Sequence, residues 1–285
     1  MMNTAPRTGY APVNGLNLYY EIHGTGAPLV LLHGGFGATG MFGGLLPALA
    51  AHRQVIAVDL QGHGRTADID RPLRIEHMAD DIAALIAHLG LGMASVMGYS
   101  LGGAVALQTA IRHPDAVDRL VVVSTPHKRS AWYPENLAGM DQLGAAAAES
   151  MKQTPMYELY ARIAPRPDDW TNLWAKMGDL LRRDYDWSAG VAALAIPTML
   201  VFGDADSVSP AHAAAFFGLL GGGQRDGGWD RSAVTPHRLA ILPGTTHYDI
   251  LAPPALASTV TPFLDAPPPA APVGGIRPAA RRRAR

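Results

Sequence analysis

The most informative part of the sequence is Met97-Gly98-Tyr99-Ser100-Leu101-Gly102-Gly103, because it joins a predicted strand directly to a predicted helix. The apolar run Ala94–Met97 leads into it, and a helical pattern continues from Gly102 to Arg112. A G-x-S-x-G pattern in this setting is typical of a sharp turn whose small residues let a strained serine project its hydroxyl above a sheet edge. The helix also directs main-chain N–H groups and a positive dipole end at the same point. The glycines do not form the G-x-G-x-x-G pattern of a dinucleotide-binding turn, so Ser100 is the predicted nucleophile.

Apolar runs on both sides of this turn alternate with helical segments, as in a parallel sheet with helices on both faces. The predicted strands are Leu18–Ile22, Pro28–Leu32, Gln54–Leu60, Ala94–Met97, Leu120–Val123, Pro197–Phe202 and Arg238–Leu242. Apolar residues from Ile75 to Leu89 recur with helical spacing. We therefore predict an α/β fold with a doubly wound, mostly parallel sheet.

The segment 126–195 interrupts this alternation, because it contains no strand pattern. Leu137–Met151 and Trp170–Arg183 have helical character, and eight aromatic side chains lie in the segment. We predict a helical lid inserted after the sixth strand, while ordinary packing of helices onto the core is the alternative. The candidate pocket residues are Tyr99, Trp132, Tyr133, Tyr157, Tyr160 and Trp174.

Composition and charge exclude several classes of protein. Hydrophobic residues make up 48% of the 285 residues and charged residues 16%, which excludes a disordered chain. The net charge of −1 gives no sign of a nucleic-acid-binding face, and the absence of cysteine excludes disulfides and thiolate chemistry. Neither a signal peptide nor a long apolar span is visible, so we expect a cytoplasmic protein without a membrane span. Oligomeric state is not predicted.

The last twenty residues differ from the rest of the chain. Five of the last nine residues are arginine, and a Pro-rich run follows Asp265. Through Asp265 the chain has 18 basic and 24 acidic side chains, a net charge of −6. We predict a core formed by 1–125 and 196–265, a lid formed by 126–195, and a disordered basic tail over 266–285. The Gly-rich stretch 221–235 is predicted to be a surface loop.

The chain resembles the α/β-hydrolase superfamily, in its cofactor-free branch of esterases, lactonases and haloperoxidase-like perhydrolases. The resemblance covers about residues 10–265 and is carried by short motifs that follow predicted strands. These are His33–Gly37, Asp59–Arg65, Gly98–Gly102, Gly203–Asp206 and Gly244–His247. It implies a Ser-Asp-His triad, no cofactor and a small-molecule substrate. We expect no metal, since no cluster of His, Asp and Glu has convincing ligand spacing.

A serine hydroxyl needs a base, and the base needs a carboxylate that orients it. His247 is the favoured base because it follows the last strand, whose end meets the end of the strand before Ser100. His33 and His63 are rivals, but the resemblance assigns them to loop-shaping positions. It also favours Asp206 as the acid, with Asp204 as the alternative. Some relatives carry the acid after the strand ending at Val123, where this chain has Ser124-Thr125-Pro126 and no carboxylate.

An oxyanion formed during acyl transfer needs N–H donors already in place. The main-chain N–H of Leu101 is one expected donor. The second is expected from the His33–Gly37 loop, with Gly35 favoured over Phe36.

These residues together predict a serine hydrolase that cleaves carboxylic esters through an acyl-enzyme on Ser100. Lactones, including acyl-homoserine lactones, and perhydrolysis are alternatives. A ligand-binding receptor that retains the triad and turns over slowly is an alternative from another class. Epoxide hydrolases and haloalkane dehalogenases of this fold need an aspartate nucleophile, and serine occupies that position here.

Overall fold

The computed structural model describes residues 5–252 and 254–267. One eight-stranded sheet organises them, in the order β1-β2-β4-β3-β5-β6-β7-β8. The strands are β1 (Arg7–Val13), β2 (Leu16–His23), β3 (Pro28–Leu32), β4 (Gln54–Val58), β5 (Ala94–Tyr99), β6 (Val117–Val123), β7 (Thr198–Ala205) and β8 (Arg238–Thr246). β2 pairs antiparallel with β1 and β4, and all pairs from β4 onward across the sheet are parallel. The predicted α/β fold with a mostly parallel sheet is confirmed.

Nine α-helices lie in the described part of the chain. They are α1 (Leu45–Ala50), α2 (Ile75–His88), α3 (Leu101–Arg112), α4 (Pro134–Gln142), α5 (Pro155–Ile163), α6 (Trp170–Leu181), α7 (Ser188–Ala192), α8 (Pro210–Leu219) and α9 (Pro254–Leu264). Short 3₁₀ turns lie at Thr39–Phe42, Pro114–Ala116, Arg129–Ala131, Ala145–Ala147, Ser150–Gln153 and Pro167–Asp169.

Helices cover both faces of the sheet, so the central strands are apolar on both sides. In β3, Val30 and Leu32 point to the face that holds α2, α3 and α8, whereas Leu29 and Leu31 point to the face that holds α1 and α9. All four side chains are buried. This two-sided burial explains why β3 is a continuous apolar run rather than an alternating one.

The predicted strands match the observed ones closely, with differences at the ends. β1 was not predicted, because Arg7–Val13 contains Gly9 and Pro12 and forms an edge of the sheet. β8 extends to Thr246, so the Gly-Thr-Thr residues before His247 belong to the strand rather than to a loop.

The segment between β6 and β7 is helical, and Leu137–Met151 is not one continuous helix. α4 ends at Gln142, and two 3₁₀ turns follow after Gly144. α6 supplies more buried side chains than any other helix of this segment, including Trp170 and Trp174, whereas α4 has no buried residue. The segment is therefore anchored through α6.

The Gly-rich loop 221–235 connects α8 to β8 without helix or strand. It precedes the first residue of β8, Arg238, whereas His247 follows the last. The loop therefore lies at the opposite end of the sheet from Asp206 and His247, although it lengthens the chain between them. Of the predicted disordered tail, residues 268–285 lie outside the described residues.

Candidate active site

Ser100 lies at a strained turn between β5 and α3. Its φ of 53° and ψ of −117° lie in a region that residues other than glycine rarely occupy. A Cβ on Gly98 would lie 2.0 Å from the Gly102 carbonyl oxygen, and one on Gly102 would lie 2.4 Å from the Leu32 carbonyl oxygen. Main-chain atoms cannot move away from such contacts, so this turn requires glycine on both sides of the serine.

Ser100, His247 and Asp206 form a continuous hydrogen-bonded chain. The His247 Nε2 atom lies 3.1 Å from Ser100 Oγ, and its Nδ1 atom lies 2.9 Å from Asp206 Oδ1. Each residue follows a different parallel strand, Ser100 after β5, Asp206 after β7 and His247 after β8. Since these strands end at the same edge of the sheet, residues 147 positions apart meet there.

The Asp206 carboxylate is buried and accepts four hydrogen bonds. Besides His247, the donors are the Ser124 hydroxyl, the Gly203 N–H at 3.1 Å and the Ser207 N–H at 2.7 Å. Burial opposes ionisation, but the bonds from His247, Ser124 and Gly203 outweigh it and hold the pKa of the Asp206 carboxyl below its ordinary value. The carboxylate therefore stays charged and keeps Nδ1 of the imidazole protonated.

Two further hydroxyl groups hold the main chain of the triad. The Tyr99 hydroxyl donates to the His247 carbonyl oxygen at 2.7 Å, and the Thr125 hydroxyl donates to the Ser100 carbonyl oxygen at 2.8 Å. Burial raises the pKa of Tyr99 above its ordinary value, with the Asp206 charge adding to the effect, so the phenol remains a donor. The motif did not reveal either contact, because both join distant elements.

The rival residues make structural contacts instead. The exposed Asp204 accepts a hydrogen bond from the Thr245 N–H at 3.2 Å. His33 is buried, with Nδ1 2.7 Å from the Gly34 carbonyl oxygen and Nε2 accepting from the Leu60 N–H. His63 is buried beside it, 5.3 Å away between ring centroids. None of these side chains forms a hydrogen bond with Ser100.

The proposed oxyanion donors lie beside the nucleophile. Leu101 is the first residue of α3, so its N–H has no acceptor within the helix. Gly35 and Phe36 line the same cavity as Ser100, in a turn closed by the Gly37 N–H donating to the Gly34 carbonyl oxygen. Phe36 has a φ of 57°, which marks this turn as a second strained segment.

A cavity of about 460 Å³ opens onto Ser100 and His247. Of the six predicted pocket residues, Tyr99 and Trp132 line it. Trp132 packs edge-on against His247, with 5.6 Å between ring centroids. Tyr133, Tyr157, Tyr160 and Trp174 do not line it, which corrects the prediction.

Three of the four other aromatic residues serve packing, and the fourth, Tyr133, is exposed. Trp174 stacks on Phe36 at 4.3 Å between ring centroids and also packs against Trp170. Tyr157 and Tyr160 pack against the other sides of Trp170. Tyr133 precedes α4 with its side chain partly exposed. These contacts form an aromatic cluster that supports the loop containing Phe36, so aromatic content alone did not separate lining from packing.

Four methionines share the cavity wall with aromatic side chains that include Tyr185 and Trp187. Met41, Met140, Met156 and Met177 line it, and Met177 lies nearest Gly35. Unbranched thioether side chains adapt to ligands of varied shape, so the wall suits an apolar group. Nothing in the spacing of these four residues indicated that they share one surface.

Residues 5–252 and 254–267 contain neither a cluster of metal ligands nor a helix that could span a membrane. No three His, Cys, Asp or Glu side chains there gather in a way that could hold a metal ion. No helix in that part is long and apolar enough to cross a membrane.

Known proteins share this fold and parts of this sequence. The profile of the family described as alpha/beta hydrolase fold matches residues 27–209. The pimeloyl-(acyl-carrier protein) methyl ester esterase of Xanthomonas axonopodis pv. citri is 30% identical over 225 residues, which is 70% of this chain and 85% of that protein. The soluble epoxide hydrolase of Corynebacterium sp. strain C12 is 37% identical over 125 residues, 43% of each chain.

Two other curated relatives are matched over 43% and 38% of their own length, so the chain spans less than half of each. Among solved structures, that of E-2-(acetamidomethylene)succinate hydrolase superposes with a TM-score of 0.71. It is 23% identical and covers 92% of this chain and 100% of its own, a likeness that shows the fold alone. The profile match and the methyl ester esterase together show that the chain belongs to the α/β-hydrolase fold family.

Proposed function

We propose that this protein is a serine hydrolase that cleaves carboxylic esters through an acyl-enzyme on Ser100. One observation carries the proposal: the hydrogen-bonded chain from Asp206 through His247 to Ser100 opens onto a largely apolar cavity. A serine hydroxyl in contact with an oriented, uncharged imidazole is the arrangement that acyl transfer needs.

In the first half-reaction, Ser100 Oγ attacks the ester carbonyl carbon while His247 Nε2 takes the hydroxyl proton. The C–O bond of the ester then breaks, and the imidazolium returns the proton to the departing alcohol. The main-chain N–H groups of Leu101 and Gly35 donate to the oxyanion, and each such donor contributes about 3–4 kcal/mol to the transition state.

In the second half-reaction, water replaces the alcohol. His247 takes a proton from the water, whose oxygen attacks the acyl carbon. The bond to Ser100 Oγ then breaks, and the imidazolium returns its proton to that oxygen, which restores the free hydroxyl. Asp206 keeps its charge throughout and stabilises the imidazolium that forms in each step.

The cavity wall supports an apolar acyl or alcohol group as the larger part of the substrate. Met140, Met156 and Met177 surround the space beyond Ser100, together with Leu143 and Leu180. The methyl ester esterase named above is consistent with ester chemistry, and serine at the nucleophile position disfavours epoxide opening.

The segment 126–195 acts as a lid in this proposal. Its α4 contributes Asn136 and Met140 to the cavity although no α4 residue is buried. The Arg129 guanidinium ties α4 to the base of the segment, donating to Asp141 at 2.5 Å and to the Leu181 carbonyl oxygen at 2.9 Å. In the same proposal, residues 5–125, 196–252 and 254–265 form the core beneath it.

A hydrolysis panel tests the proposal. Purified protein is offered p-nitrophenyl esters of graded acyl length, matched methyl esters, lactones including acyl-homoserine lactones, and an aryl carbamate. We expect steady turnover of esters with medium-length acyl chains, and none with Ser100→Ala. A burst of one equivalent of product without steady turnover would favour a ligand-binding receptor that turns over slowly. Faster turnover of lactones than of esters would identify lactones as the substrate class.

A further inference from the structure

Ser124 is the residue that follows β6, and its hydroxyl donates to Asp206 Oδ2. The side chain is completely buried, with 0% of its surface exposed. The hydroxyl takes no part in the proton transfers between water, His247 and Ser100. Its contact joins the ends of β6 and β7, the two strands that lie between the nucleophile strand and the base strand in the sheet.

The main chain at Ser124 is held in an unfavourable conformation. Its φ is 53°, in the left-handed region that favours glycine, and its N–H donates to the Val201 carbonyl oxygen at 2.9 Å. A serine there costs conformational energy that a glycine would avoid, and such strain clusters at functional sites. The retained side chain therefore points to a role for the hydroxyl itself.

The four donors around Asp206 are not equivalent. Those from Gly203 and Ser207 are main-chain groups, and the one from His247 belongs to the base. Ser124 thus supplies the one noncatalytic side chain among the donors to this carboxylate in the described residues. Hydrogen bonds to a charged group are stronger than neutral ones and direct its orientation.

We propose that Ser124 is a positioning residue, whose hydroxyl fixes the Asp206 carboxylate in the plane that faces His247 Nδ1 and thereby sets the reactivity of Ser100. This inference rests on the proposed triad and not on the identity of the ester. It predicts a kinetic effect on nucleophile activation without an effect on ligand binding.

The inference also predicts a change in pH dependence. The titratable side chains that interact with the Asp206 carboxylate include the His247 imidazole and the Tyr99 phenol. Removing a donor to the charged form raises a carboxyl pKa. The carboxylate–imidazole pair therefore takes up its inactivating proton at a higher pH when the hydroxyl is absent.

The test measures phosphonylation of Ser100 by a fluorophosphonate, which requires no knowledge of the substrate. Ser100 Oγ attacks phosphorus, the P–O bond forms, the P–F bond breaks with loss of fluoride, and His247 takes the serine proton. For Ser124→Ala we expect the labelling rate at saturating probe to fall about tenfold. The half-saturating probe concentration should stay within twofold, and the acid limb of the rate should move to higher pH.

Ser95→Ala is the matched control. Ser95 is also buried and donates to a carboxylate, Asp118 Oδ1 at 2.8 Å, but it lies near the start of β5. Its removal should lower the melting temperature without changing the labelling rate or its pH profile. Ser124→Gly serves if the alanine variant does not fold, because glycine accepts the φ of 53° and also lacks the hydroxyl.

Two results would overturn the inference: a folded Ser124 variant that labels within twofold of the wild type, or a Ser95→Ala variant that labels as slowly. A wild-type protein that labels rapidly but hydrolyses no ester in the panel would refute the ester proposal and leave this inference standing. A wild-type protein that does not label at Ser100 would refute both.

Discussion

Asp206→Asn is the substitution that separates the proposed acid from its neighbour Asp204. Asp206 Oδ1 accepts from His247 Nδ1 and the Ser207 N–H, while Oδ2 accepts from Ser124 and the Gly203 N–H. An asparagine amide therefore places its NH₂ group against a main-chain N–H in either orientation. The substitution removes the charge in both cases.

The size of the effect follows from this geometry. If the NH₂ group takes the Oδ1 position, His247 Nδ1 must accept, and the proton moves to Nε2, which can then no longer accept from Ser100. If it takes the Oδ2 position, the imidazole keeps its tautomer but loses the charge that stabilises the imidazolium. We expect kcat to fall by about 10⁴, a loss of about 5.4 kcal/mol of transition-state stabilisation.

Asp204→Asn is the matched control, because Asp204 is exposed and holds the Thr245 N–H rather than the base. Its kcat should stay within about fivefold of the wild type. The assay is ester turnover at saturating substrate, with circular dichroism and melting temperature measured on both variants. An Asp206→Asn variant that keeps a tenth of the activity, or a larger loss with Asp204→Asn, would refute the assignment of the acid.

Two other perturbations have defined outcomes. Burial lowers the pKa of His33 to about 4 and that of His63 to about 3, so below the unfolded value of about 6.5 the unfolded chain takes up protons that the folded chain does not. Their stabilising contribution is therefore present above pH 6.5 and lost as the pH falls. Asp59, whose pKa burial raises to about 6, opposes this weakly. Burial also lowers the pKa values of His212, His127 and His237, which act in the same direction. Urea unfolding at pH 5.5 should therefore give a free energy of unfolding at least about 2 kcal/mol below that at pH 7.5, and equal or higher stability at pH 5.5 would contradict the buried neutral histidines. Tyr99→Phe removes the hydroxyl that donates to the His247 carbonyl oxygen, so melting should fall by about 2–4 °C and kcat by about fivefold, and an unchanged kcat would show that this bond does not position the base.

The fold and the proximity of Ser100, Asp206 and His247 could be predicted because both depend on local patterns. The buried strands are continuous apolar runs, and the glycines beside Ser100 are required by main-chain contacts within a few residues or to the adjacent strand. Asp206 and His247 follow strands that end at one edge, so the predicted order of elements was enough to bring them together.

The cavity wall could not be predicted in the same way. Trp174 and Tyr160 are aromatic like Trp132, but they pack on Phe36 and Trp170 and do not line the cavity. The orientation of the helices between β6 and β7 decides which side chains face the cavity. The apolar periodicity of one helix does not predict how a neighbouring helix is oriented. The methionines of the wall come from four separate elements and meet through tertiary packing alone.

The contacts around the triad were missed for a related reason. In the sequence, Ser124 is notable only because no carboxylate stands at that position. In the structure, its hydroxyl donates to the carboxylate of Asp206, which follows β7 and lies 82 residues away. A sequence does not show which group a hydroxyl will bond. The pairing of β6 with β7 brings Ser124 next to Asp206.

Mapping the covalent adduct of an organophosphate is the most direct test that Ser100 is the nucleophile. The protein is incubated with diethyl p-nitrophenyl phosphate, and the modified peptide is identified by mass spectrometry alongside the loss of ester turnover. We predict one adduct per chain, on Ser100, formed in proportion to the loss of activity and absent from a folded Ser100→Ala variant. An adduct on another residue, or a Ser100→Ala variant that still hydrolyses esters, would contradict the assignment of Ser100 as the nucleophile.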